Sequence, residues 1–327
     1  MDASSSNRPD PGDAAGIPAP GNDLPAAPGA TAPEAGPGTV LVTGASKGIG
    51  RATALHLERL GFSVLAGVRR EADAAALRSA AGGRLTPVLL DVTDAGAIRG
   101  AAAAAAAAAG ERGLAGLVNN AGIAVAAPLE FLPSDELRRQ LEVNVVGQLA
   151  VTRELLPLLR RGRGRIVNLG SVADRLATPF LGPYAASKFA LRALSDSLRM
   201  ELRRHGVEVV LIEPGVIATP IWSTSIAAGE TLHRRLPPEL DRYYGRALER
   251  VRARAEQAGR TGLDPDVVAR AIAHALTTSR PRARYLVGRD ARTAALVAAL
   301  PDRVRDRLIA GARRPPREPD VPASPPA

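Results

Sequence analysis

The chain has no cysteine and almost no lysine. Of its 327 residues 43 are basic, yet only Lys47 and Lys188 are lysine, and arginine carries the rest. Without cysteine there is no disulfide and no thiolate metal site, which suits a reducing compartment, so cytoplasm is the expected location and no metal is expected. Aromatic residues make up only 3% against 46% hydrophobic residues, so a sizeable core must be built from Val, Leu, Ile and Ala. No apolar run approaches the ~20 residues of a membrane-crossing helix. The longest, Ala101–Ala109, is bounded by Gly100 and Gly110. No basic segment leading into an apolar stretch opens the chain, so no secretory signal is read. The net charge of +10 would draw anions, but the arginines are spread over helix faces and no basic stripe is interleaved with aromatics. Specific nucleic-acid binding is therefore not expected.

Residues 1–38 are mostly Pro, Gly, Ala, Ser and Asp, with too little apolar surface to offset ordering; a disordered arm is expected there, and a second over 314–327. Between them, residues 39–313 alternate short apolar runs with amphipathic stretches. "TVLVTG", "SVLAGV", "LTPVLLDV", "LAGLVNNAG", "GRIVNLGS", "VEVVLIEPG" and "RARYLVG" read as strands. Helices are expected over Ile49–Leu60, Glu71–Ala80, Asp94–Ala109, Ser134–Leu159 and from Tyr184 onward, with another in "DPDVVARAIAHAL". Continuous β-branched runs indicate strands covered on both faces, and repeated strand–helix alternation predicts one α/β domain, a doubly wound parallel sheet of the Rossmann type.

"TGASKGIG" joins the first strand to the first helix. Gly44, Gly48 and Gly50 permit positive φ and close backbone approach, so Gly44, Ser46, Lys47, Gly48, Ile49 and Gly50 form a candidate cradle for a dinucleotide pyrophosphate at a helix N-terminus. The second strand ends "GVRR", without the carboxylate that would accept the ribose hydroxyls of NAD. Arg69 and Lys47 would instead meet a 2′-phosphate, which favours NADP(H) and leaves NAD(H) open. Asp91, closing the third strand, is a candidate for the adenine amino group.

Tyr184 and Lys188 stand four apart and share one helix face. A phenol titrates near ~10 in water, and a fixed ammonium beside it is expected to lower that value toward a working general base. Lysine suits this role better than arginine because it is a compact charge on a flexible stem.

"TGASKGIG", "NNAG", "NVVG", "NLGS", "YAASK" and "PGVIAT" follow one another in order. As a set they resemble the short-chain dehydrogenase/reductase family, closely over about 39–219, with wording nearest the branch of retinol, 17β-hydroxysteroid and 3-hydroxybutyrate dehydrogenases. The resemblance implies an oxidoreductase interconverting alcohols and carbonyls, with a small-molecule substrate and a homodimer or homotetramer. It implies Tyr184 as acid/base, Lys188 as its activator and nicotinamide-ribose ligand, and Ser171, 13 positions before Tyr184, as donor to the substrate oxygen. Asn144 would bend its helix around a relay water. Asn119, Ala121 and Gly122 would support the adenosine side, and Pro214, Val216 and Thr219 the nicotinamide carboxamide. Two departures stand out: Gly170 precedes Ser171 where a second serine is common, and Asp174 stands near where a glycine is common, at the expected edge of the substrate pocket.

The family places a substrate lid after Thr219, here about 220–263. Asp174, Trp222 and Tyr243 are the candidate substrate contacts, Asp174 serving alternatively as a turn cap. The lid's apolar side chains suit a lipophilic alcohol or ketone; His233, Arg234 and Arg235 would suit a carboxylate. A non-catalytic NADP-binding sensor or scaffold is the rival reading, and such a protein should lack Tyr184, Lys188 or Ser171.

Overall fold

A computed structural model describes residues 36–310. The expected tail over 314–327, and all but the last three residues of the expected arm over 1–38, lie outside the described residues. Seven parallel strands form one sheet: β1 (Thr39–Val42), β2 (Ser63–Val68), β3 (Leu85–Leu89), β4 (Leu114–Asn119), β5 (Arg165–Leu169), β6 (Glu208–Pro214) and β7 (Arg284–Val287). Their order is β3-β2-β1-β4-β5-β6-β7, so the winding reverses beside β1 and leaves a crevice at the strand ends there. β3 stops at Leu89, short of the expected Val92: Leu90 N–H makes a last bond to Val68 of β2, and Asp91 then folds into a turn. Pro87 is tolerated within β3 because that strand lies at the sheet edge.

One face of the sheet is covered by α1 (Gly48–Arg59), α2 (Glu71–Ala80) and α9 (Pro265–Thr277), through Leu57, Leu77, Val268 and Ile272. The other carries α3 (Ala95–Ala109), α5 (Gly147–Gly162) and α6 (Gly182–Leu202), through Ile98, Ala105, Leu155, Leu159 and Leu202. Caps punctuate the helices: Asp94 accepts from Ala97 N–H at 2.6 Å, and Asp264 accepts from Asp266 N–H at 2.7 Å ahead of Pro265.

The helix expected as continuous from Ser134 is divided. α4 (Ser134–Leu141) runs into a π-helical turn, Glu142–Val146, before α5 begins. The region expected as a lid holds two helices, α7 (Ile221–His233) and α8 (Glu239–Thr261), ahead of α9; α10 (Arg289–Ala298) and α11 (Asp302–Ala310) follow β7. No helix among the described residues is long and apolar enough to cross a membrane, and none of these residues group as metal ligands.

Candidate active site

The glycine turn is shaped by what crowds it. Gly44 and Gly48 take φ of +64° and +56°, where an L side chain is disfavoured. A Cβ on Gly44 would lie 2.8 Å from Ala121 Cα, and one on Gly48 would lie 3.2 Å from Thr219. One on Gly50 would overlap the Gly44 carbonyl and Asn120 Nδ2. Lys47, at the N-cap of α1, gives no side-chain cap. The first N–H groups of α1 are thus left without a side-chain cap beside a turn crowded to glycine, a good fit to a pyrophosphate.

Asn120 ties this turn to β4. Its amide donates to the carbonyls of Thr43 and Gly44 at 2.9 and 3.0 Å, while Thr43 Oγ1 accepts from the N–H groups of Asn120 and Ala121, both at 2.9 Å. Asn119, the predicted partner of the adenosine side, points the other way. It is buried, and its Nδ2 donates to Thr152 of α5 and Asn168 of β5, both at 2.9 Å. Alternation along β4 sends neighbouring side chains to opposite faces, which corrects the assignment of Asn119 and brings in Thr43 and Asn120. The "NNAG" run was the available signal for Asn120.

Contacts continue from the turn to the predicted catalytic helix. Gly122 lies against Asn144, where a Cβ would be 3.3 Å from Oδ1. Asn144, buried in the π turn, accepts from Ile123 N–H at 2.9 Å and donates to Ile123 O at 3.0 Å and Ser187 Oγ at 3.1 Å. Ser187 Oγ donates to the Tyr184 carbonyl at 2.7 Å. Gln140 supports the same loop, accepting from Val125 N–H at 2.7 Å and donating to Ile123 O at 2.9 Å. Gln140 and Ser187 were not anticipated; the buried face of α4 at Gln140 and the small residue inside "YAASK" were their only marks. Asn144's amide is wholly engaged in holding this loop and α6.

Lys188 is buried and donates to the Leu169 carbonyl of β5 at 2.6 Å, with its ammonium 5.6 Å from the centre of the Tyr184 ring. Burial pushes its ammonium down to about 8, while Asp174 nearby pulls the other way. Tyr184 departs from expectation. Burial holds its phenol above the usual value; the Ser171 hydroxyl beside it draws it down and Asp174 pushes it further up. Desolvation of the ring is the largest influence, and Lys188, expected to lower the phenol, turns its Nζ to the Leu169 carbonyl. Ser171 lies two residues past the end of β5 and caps a 3₁₀ turn, Val172–Asp174, accepting from Ala173 N–H at 3.2 Å.

Further round the crevice, Thr219 faces Gly48 as noted and Pro214 is the last, buried residue of β6. Val216 has no free backbone group: its N–H donates to Asp290 of α10 and its carbonyl accepts from Leu263 N–H, so only its side chain is presented. Arg70 is paired with Asp73 through two contacts of 2.9 and 3.1 Å. Lys47 and Arg69 are exposed, make no side-chain bond among the described residues, and both lie close enough to help hold the Asp73 carboxyl low. Asp91 accepts from Thr93 N–H and Oγ1 at 2.9 and 2.8 Å.

The candidate substrate residues are rearranged. Asp174 is fully buried beneath Ser171, not at a pocket edge; its role is the turn cap. Trp222 donates its indole N–H to Ile217 O at 2.7 Å, so it fastens α7 rather than presenting a polar handle. Tyr243 is 58% exposed and points to solvent. Its neighbour Tyr244 faces inward, edge-on to Phe131 and Phe180 at 6.0 and 5.9 Å, and donates to Glu130 at 2.8 Å. Phe180 adopts φ of +70°, a costly conformation for an aromatic residue, just ahead of α6. Arg235 is bound to Asp135 and Glu136 of α4, at 3.2 and 3.3 Å.

A family model described as short chain dehydrogenase matches residues 38–229. The chain belongs to that family. Retinol dehydrogenase 5 of Mus musculus is 40% identical over 279 residues, covering 83% of this chain and 87% of its own length. 17-beta-hydroxysteroid dehydrogenase type 6 of Homo sapiens is 37% identical over 260 residues, covering 77% and 81%. Among solved structures, a short-chain dehydrogenase/reductase of Burkholderia phymatum in complex with NAD has 26% identity and a TM-score of 0.70, covering 86% of this chain and 98% of that one. A short chain dehydrogenase of Burkholderia cenocepacia in complex with NADP has 25% identity and a TM-score of 0.64, covering 84% and 98%. The short-chain dehydrogenase described here is thus an NAD(P)-dependent oxidoreductase acting on CH–OH and C=O groups, of the retinol and hydroxysteroid dehydrogenase branch.

Proposed function

We propose that this chain interconverts a lipophilic primary or secondary alcohol and its carbonyl compound with NADP(H), with Tyr184 as the proton donor and acceptor. The observation that carries this reading is the unbroken line of contacts from the glycine turn through Ala121, Gly122, Asn144 and Ser187 to Tyr184, with Ser171 and Lys188 beside it. The turn would hold the pyrophosphate, Lys188 the nicotinamide ribose, and the bound nicotinamide would supply or accept the hydride.

Ser171 Oγ donates to the substrate oxygen as charge gathers on it, and Tyr184 delivers the proton. A phenol held above its ordinary value is fully protonated at neutral pH, the state required for donation to an alkoxide. In the opposite direction Tyr184 must release that proton, which the Ser171 hydroxyl and the Lys188 ammonium assist. Gln140, Asn144 and Ser187 fix the first turn of α6, so the phenol does not drift from the reacting oxygen.

NADP(H) is favoured because β2 ends without a carboxylate and because Lys47 and Arg69 remain uncommitted while Arg70 neutralises Asp73. The lipophilic assignment draws on the names of the two relatives. It draws also on the apolar cluster of Val125, Ala127 and Leu232, and on the Phe131–Tyr244–Phe180 stack beneath α8. Coenzyme titration by fluorescence, followed by turnover of a panel of retinoid, steroid and short hydrophilic alcohols and carbonyls, tests it. NADPH should bind at least about tenfold tighter than NADH, and Arg69→Asp should abolish the preference. Tighter NADH binding, or turnover confined to the hydrophilic compounds, would refute the respective assignment.

A further inference from the structure

Four ionisable side chains lie beneath Ser171 that the proton transfer above does not use: Asp174, Arg175, Arg192 and Glu213. Asp174 and Glu213 are both fully buried. Gly170 makes room for Asp174, since a Cβ there would lie 2.6 Å from Asp174 Oδ2. The two departures from the family wording are therefore one structural feature. Oδ2 accepts from Ser171 N–H at 3.4 Å, while Ser171 Oγ accepts from Ala173 N–H within the same turn, a reciprocal cap.

Oδ1 receives no hydrogen from any described N–H or O–H donor. Arg175 Nε and an Arg192 terminal nitrogen stand off at 3.9 and 4.0 Å. Both guanidiniums are engaged elsewhere: Arg175 grips Glu213 through two bonds of 2.9 and 2.8 Å, and Arg192 donates to the Asp174 backbone carbonyl at 3.1 Å. What Asp174 meets is the Glu213 carboxyl, and two carboxyls in contact need a proton between them. Arg175 is bonded to Glu213, which leaves Asp174 as the carboxyl of the pair with no cation in bonding contact. Burial first, and Glu213 next, push the Asp174 carboxyl up to about 8. The other titratable groups around it are Tyr184, Lys188 and Arg192 from α6, with Asp196 acting on Arg175. From α10, which packs on this turn, Asp290 is tied to Val216 N–H.

We propose that Asp174 is a positioning residue, a neutral carboxylic acid that donates to Glu213 and accepts from Ser171 N–H, so fixing the serine while keeping negative charge away from Tyr184 and Lys188. When Asp174 loses its proton in alkaline solution, the charge so formed opposes phenolate formation at Tyr184 and limits alcohol oxidation. This rests on Tyr184 as the acid/base.

Asp174→Asn and Asp174→Ala test it on the full chain. The asparagine amide donates to Glu213 and accepts from Ser171 N–H as the protonated acid does, but it cannot ionise. Two quantities are measured: the ultraviolet titration of the Tyr184 phenolate, taken as the difference from Tyr184→Phe, and kcat against pH for oxidation of an alcohol the protein turns over. The alanine variant should lose about tenfold or more in kcat with little change in KM, and asparagine should recover most of that loss. In the asparagine variant the phenolate should form at lower pH than in the parent, with the alkaline limb of kcat moving the same way. Superimposed titrations and pH profiles for the parent and Asp174→Asn would overturn the proposal, as would wild-type kcat in Asp174→Ala. If alanine fails to fold, the asparagine titration still decides. Undiminished turnover in Tyr184→Phe would instead overturn the acid/base reading, a result distinct from the other two.

Discussion

Lys188→Met should leave the fold nearly as stable as before and remove almost all activity. Two opposing effects set the stability. The drop of the ammonium from 10.5 to about 8 corresponds to about 3 kcal/mol against keeping the charge buried. Methionine removes that cost and fills a similar volume. Against it stands the lost bond from Nζ to Leu169 O, a charged-donor bond worth about 1.5–3 kcal/mol, leaving a carbonyl without that partner. The two nearly cancel, so unfolding by urea should change by no more than about 2 kcal/mol in either direction. Turnover should fall by about 10²-fold or more, since a positioned charge beside the acid/base is lost. Urea unfolding and steady-state kinetics on the same preparation separate the outcomes. A loss of several kcal/mol would make Lys188 a structural residue, and activity within tenfold of the parent would remove it from the chemistry. Either result refutes the reasoning.

The pH dependence of stability should have a minimum near pH 8. Asp174 keeps its proton to about 8 when folded but releases it near 3.8 when unfolded, so its contribution is full below 3.8 and is lost as pH rises through about 8. Lys188 has the opposite sign: unfolded chains hold that proton to 10.5 and folded ones only to about 8, so stability climbs across that window. Urea midpoints taken against pH should show both limbs, and Asp174→Asn should flatten the lower one. On α8, Tyr244→Ala should weaken turnover of bulky substrates about tenfold through the loss of two edge-on aromatic pairs, each worth about 0.5–1.5 kcal/mol. Tyr243→Ala should change kcat/KM by less than about twofold, because that side chain faces solvent. Equal effects at the two positions would contradict the assigned facing of α8.

The sheet was legible because buried parallel strands are written as continuous apolar runs, and the glycine turn because backbone crowding leaves glycine little alternative. What escaped the sequence depends on partners far away along the chain. Asn119 and Asn120 are adjacent and chemically identical, and only the register of β4 decides that Asn120 reaches the turn. Tyr243 and Tyr244 differ by a single step round α8, and the body they pack on is contributed by residues 130–180. Asp174 reads as a substrate contact or a turn cap until Glu213 and Arg192 are brought to it by β6 and α6. Val216 gives no hint in the sequence that its N–H is held by Asp290, 74 residues on, which leaves its side chain as the group presented to the crevice. The π turn was marked only by Asn144, expected from the family resemblance to bend its helix; what the sequence did not show is that its amide bonds both backbone groups of Ile123.

The decisive measurement is single-turnover reduction of a lipophilic ketone by NADPH on the enzyme, comparing the parent with Tyr184→Phe and following reduced-nicotinamide absorbance. Loss of the hydroxyl should leave NADPH affinity within about threefold and slow the hydride step by at least about 10²-fold. A Tyr184→Phe variant that reduces the ketone within tenfold of the parent rate would contradict proton delivery by Tyr184.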